Sequence, residues 1–60
     1  MVKPGDRIYV RTLLFEGWAT VTDVFPGELY PIQVVLDKPD GDGHAVKRVS
    51  EYEIIQKEAK

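Results

Sequence analysis

The sequence predicts an all-β fold, a small five-stranded barrel in a single domain. Three observations carry that expectation. Apolar and polar residues alternate with a period of two in successive segments. Glycine, proline and aspartate close those segments at roughly ten-residue intervals. No stretch has the periodicity of an amphipathic helix.

The elements follow in order. "KPGD", Lys3 to Asp6, is a turn in which proline presets φ and glycine is free to take a positive one. It launches "RIYVR", whose Ile8 and Val10 share one face while Arg7, Tyr9 and Arg11 share the other. Leu13, Leu14 and Phe15 come next, three consecutive bulky residues that a half-buried strand does not need. They are expected in a loop folded back over the core.

From Gly17 the chain reads "GWATVTDVF", with Ala19 and Val21 inward and Trp18, Thr20 and Thr22 outward. Gly17 is expected where a side chain would crowd the turn into this strand. Val24 breaks the alternation, which predicts a bulge near Asp23. Residues 26–31 form a loop, and "IQVVLD" follows as the most β-prone segment, with Ile32, Val34 and Leu36 inward. Across the polar turn "KPDGDGH" it pairs with "AVKRV" as a hairpin from Ile32 to Val49. Ser50 is placed to cap one helical turn before Ile54 and Ile55 resume extended structure as the last strand. The core domain thus spans about residues 3–55, and the polar residues 56–60 are expected to fray.

Composition narrows the function classes. Sixty residues without cysteine allow no disulfide framework and no thiolate metal site. "MVKPGDRIYV" contains no apolar run of signal-peptide length, and no segment approaches the roughly 20 apolar residues of a membrane span. A cytoplasmic, soluble chain that does not engage membranes is the expectation. Eight basic against ten acidic residues leave a formal charge of −2, so nucleic acid binding would need a local patch.

"KPGDRIYV" followed by "FEGWATVTDVF" resembles the opening of SH3-like barrels of the KOW type, in which a Gly-Asp start, a loop glycine and spaced valines recur. Gly5, Asp6, Gly17, Val21 and Val24 carry the resemblance here. It covers about residues 3–55, and the chain is also similar to small proteins of bacteria and their phages. The resemblance implies RNA or protein binding, although the acidic "DKPDGDG" departs from the basic loops of KOW modules. The plasmid-type dihydrofolate reductase is a similar barrel with a Val-Gln-Ile-Tyr strand lining its pore. The nearest match is "IQVV", with Gln33 kept and Val35 in place of the tyrosine.

Trp18, Tyr9, Arg7 and Arg11 are the candidate ligand contacts, an aromatic and cationic rim on neighbouring strands, with Lys47 and Arg48 brought towards it by barrel closure. The competing structural reading has Trp18 close one end of the barrel over Leu13 or the terminal strand. Lys47 and Arg48 likewise read as solvated charges offset by Glu51 and Glu53. Asp40 and Asp42 invite a calcium reading, but Lys38 and Val49 stand where an EF-hand loop needs ligands, so a polar turn is expected. His44 has no cysteine to share a metal with, and no hydroxyl nucleophile is assigned to it. The expected function is a non-catalytic binding or adaptor module, without metal or cofactor, for a protein or peptide partner. The alternative is RNA or DNA binding through a basic-aromatic patch. A structural role as a weak homodimer has its own marker in Val35, which alternation places outward beside Val46.

Overall fold

A computed structural model describes residues 2–39, 41 and 43–58. Asp40 and Asp42, on which the calcium question rests, lie outside these residues, as do positions 59 and 60 of the tail. The chain is all-β: β1 (Arg7–Arg11), β2 (Glu16–Val24), β3 (Ile32–Leu36), β4 (Val46–Val49), a 3-10 turn (Glu51–Glu53) and β5 (Ile54–Lys57). All pairings are antiparallel in one sheet of order β4-β3-β2-β1-β5. No strand pairing joins β4 to β5 among the described residues, so the sheet has two open edges.

Ile8, Val10, Ala19, Val21, Ile32, Val34, Leu36 and Val49 form the core, each at most 5% exposed. Cross-strand partners share a face, and the register places Ala19 opposite both Ile8 and Leu36, Val21 opposite Val34, and Ile32 opposite Val49. One face of one sheet therefore carries the whole core. Among the described residues no α-helix covers that face. Val2, Phe15, Val24 and Ile54 pack against the core as partly buried neighbours.

The break in alternation is the expected bulge. Val21 pairs with Val34 and Asp23 with Gln33, leaving Thr22 as the extra residue. Its hydroxyl donates to the Gln33 carbonyl at 3.2 Å, which ties down the irregular backbone. Val24 thereby returns to the inner face opposite Ile32. A second irregularity falls at Ile55, skipped between the pairs Val10–Ile54 and Tyr9–Gln56.

Three expectations change in detail. Leu13 and Leu14 do not fold over the core; they are 104% and 89% exposed. Thr12 decides this, because its hydroxyl oxygen accepts from the Leu14 and Phe15 amides at 3.1 and 3.0 Å, and its amide donates to the Phe15 carbonyl at 2.9 Å. The resulting tight turn leaves both leucines at its tip, and only Phe15 reaches the core. Gly17 is required by its backbone angle, φ +153°, and not by crowding, since no atom lies within 4 Å of a Cβ built there.

Gln56 and Lys57 belong to β5 and do not fray; Ile8 pairs with Lys57, and the Glu58 amide donates to the Arg7 carbonyl at 2.9 Å. Backbone pairing at a sheet edge tolerates polar side chains, which is why composition alone misplaced this end. Ser50 is the N-cap residue of the helical turn, as expected, in a capping box completed by the Glu53 carboxylate. Its Oε1 accepts from the Ser50 amide and hydroxyl at 2.9 and 3.1 Å.

Candidate functional site

The outer face of β1 and β2 assembles four of the six expected contact residues. Tyr9 and Trp18 are direct cross-strand partners, with ring centroids 5.5 Å apart and planes at 77°. That edge-to-face geometry suits two aromatic quadrupoles. The Arg7 guanidinium lies 5.8 Å from the Trp18 centroid. It also donates to Thr20 Oγ1 at 3.1 Å and to both Asp37 oxygens at 2.6 and 2.7 Å. Trp18 is half-buried there, turned outward as strand parity requires.

Arg7 pairs with Asp37 and Arg11 with Glu16 on this face. The Arg7 hydrogen bonds hold the Asp37 carboxyl below its ordinary range, and Asp37 in turn raises the Arg7 guanidinium. The Tyr9 hydroxyl donates to Glu16 Oε2, which lowers the Glu16 carboxyl and raises the Tyr9 phenol. Arg11 Nε stands 3.4 Å from the other Glu16 oxygen. Between Tyr9, Trp18, Asp37 and Lys38 lies a recess of about 310 Å³.

Lys47 and Arg48 do not join this face. The sheet order puts β4 three positions from β1, at the far edge. Lys47 pairs with inward-facing Val34, and its ammonium lies 5.4 Å from the Phe15 ring centroid. Arg48 instead secures the loop between β2 and β3. Its Nε donates to the Tyr30 carbonyl at 2.8 Å, its guanidinium is 4.5 Å from the Phe25 ring centroid, and Nη2 stands 3.8 Å from Glu28.

A second concavity, about 850 Å³, was not anticipated from the sequence. The turn after β1 contributes Leu13, Leu14 and Phe15, the β2–β3 loop contributes Tyr30, and the 3-10 turn contributes Tyr52. Arg11, Arg48 and Glu53 also line it. Tyr52 is 81% exposed, so with Leu13 and Leu14 it offers large apolar surface that the fold leaves wet. The sequence signal was the Leu13-Leu14-Phe15 run, legible as excess apolar content but not as a groove wall.

Two other features are structural. Asp6 is buried at the turn into β1, where it accepts from the Lys3 amide at 3.0 Å and lies 3.2 Å from the Lys57 ammonium. The Lys3 amide, followed by Lys57, holds its carboxyl below the ordinary value against the opposing effect of burial. Among the described residues, no three His, Asp or Glu side chains are grouped to hold a metal ion, and no helix is long and apolar enough to cross a membrane.

Compared with known proteins, the chain matches no family model and no curated protein.

Proposed function

We propose that the protein is a non-catalytic binding module of SH3-like type, and that it docks a protein or peptide partner in the groove walled by Leu13, Leu14, Tyr30 and Tyr52. The observation that carries this reading is the exposure of Leu13, Leu14 and Tyr52 around one concavity. Large apolar side chains left exposed around one concavity mark a surface for interaction with a partner. Tyrosine adds contact area at small entropic cost, since only two torsions need be fixed.

The Tyr9–Trp18 face supports partner binding less well, because Arg7 is already held there in a bidentate pair with Asp37. The formal charge of −2 weakens a nucleic acid reading, which needs an excess of cations along the phosphate backbone.

Selection of randomised linear peptides displayed on phage against the full chain tests the proposal. Peptides retained by the parent and lost on Leu14→Ser support it. Peptides that bind Leu14→Ser equally well, or a chain that retains only single-stranded oligonucleotides with a steep salt dependence, overturn it.

A further inference from the structure

Resting on that reading, we infer that the occupant of the groove is an extended, acidic-apolar peptide segment: bulky apolar side chains for the leucine and tyrosine walls, and carboxylates for two guanidiniums at the margin. The charged lining consists of Arg11, Arg48 and Glu53. Glu53 is occupied by its own chain, since its Oε1 accepts both the amide and the hydroxyl of Ser50. Glu53 keeps its charge through these bonds, so the lining holds two guanidiniums against one carboxylate, although the chain as a whole is acidic at −2.

Both guanidiniums retain donor capacity. A guanidinium carries five N–H groups in a rigid fork. Arg48 uses Nε on the Tyr30 carbonyl, and its ion-pair partner Glu28 stands 3.8 Å from Nη2, too far for a hydrogen bond. The Phe25 ring beneath it and the Tyr30 carbonyl beside it fix the fork in position, so a ligand carboxylate meets a preset donor. Arg11 shares Glu16 with the Tyr9 hydroxyl, and its side chain is 60% exposed. A partner carboxylate can therefore pair with either arginine without displacing a bidentate contact of the kind that Asp37 makes with Arg7.

The opposite charge pattern is disfavoured. A basic peptide would bring its cations against Arg11 and Arg48, with Glu53 alone in the lining to offset them. Neutral apolar peptides would fill the walls and leave Arg11 and Arg48 with their own-chain partners alone, Glu16 at 3.4 Å and Glu28 at 3.8 Å.

The composition of peptides selected by the parent chain, by Arg11→Glu and by Arg48→Glu is the test, with circular dichroism on each variant to verify folding. The parent should enrich leucine or aromatic residues together with aspartate and glutamate. Replacing those carboxylates by amides in a selected peptide should weaken binding about fivefold for each one. Arg11→Glu, which leaves the Tyr30 and Phe25 contacts of Arg48 intact, should shift selection towards neutral or basic peptides. Peptides that depend on Leu14 but show no acidic enrichment would refute the acidic occupant and leave the groove reading standing. Absence of any Leu14-dependent peptide would remove both.

Discussion

Arg7 and Asp37 meet in a bidentate ion pair, with Nη1–Oδ1 at 2.6 Å and Nη2–Oδ2 at 2.7 Å, although 30 residues separate them in the chain. The pair reaches from β1 past β2 to the end of β3, and the same guanidinium lies beside the Trp18 ring. It thus clips three strands on the outer face while the apolar core joins them on the inner one. Asp37 adds a backbone bond of its own, its amide donating to the Trp18 carbonyl at 2.9 Å.

A double-mutant cycle should detect this clip. Arg7→Ala and Asp37→Ala should each lower the urea midpoint, and the double variant should lie above the sum of the two losses. Arg7→Ala should also change the emission of the single tryptophan, because its cationic neighbour is gone. Additive losses with unchanged emission would mean that the pair does no structural work.

Core truncation should be severe. Val21, Val34 and Leu36 are nearly inaccessible, and each change to alanine should cost about 2 to 4 kcal/mol, read from urea or thermal unfolding. In a 60-residue domain that is a large share of the total. A loss below about 1 kcal/mol at Val21 would show that the bulge lets the core collapse around the missing methyls.

Much of the fold was legible because strand pattern is local. Period-two alternation placed Ile8, Val10, Ala19, Val21, Ile32, Val34 and Leu36 inside, and the exception at Val24 located the bulge. Neighbouring strands also made the Tyr9–Trp18 pair readable. Strand order is non-local, so the separation of Lys47 and Arg48 from that pair was not. The direction of Leu13 and Leu14 depended on one hydroxyl, that of Thr12, which pattern alone does not weigh. The groove draws on three distant segments and had no contiguous signature.

Acid should unfold the protein partly through Asp6, Asp37 and Glu16, whose carboxyls are all lowered in the folded state. A lowered folded value contributes stability that is present above the unfolded value, near pH 4, and is lost as pH falls through the folded one. Thermal midpoints should therefore decline as pH drops below about 4. Asp6→Asn should lower the midpoint at neutral pH and flatten that acid decline, because the Lys3 and Lys57 partners lose their charge-dependent contact. An acid decline as steep as that of the parent would exclude Asp6 as a contributor.

Trp18→Ala should destabilise the domain by about 1 to 2 kcal/mol through the lost aromatic pair and its half-buried ring, yet the fold should survive. Peptide binding should persist, since Trp18 does not line the groove of Leu13 and Leu14. Loss of binding in a folded Trp18→Ala variant would return the site to the Tyr9–Trp18 face.

The backbone amide spectrum of the isotope-labelled chain, titrated with a peptide selected by the parent, tests the docking site most directly. Perturbations should concentrate at Thr12, Leu13, Leu14 and Phe15, at Tyr30, and at Tyr52 and Glu53, with Tyr9, Trp18 and Asp37 near their free positions. Perturbations centred instead on Tyr9, Trp18 and Asp37, with the Leu13–Leu14 turn unmoved, would contradict the assignment of the groove as the binding site.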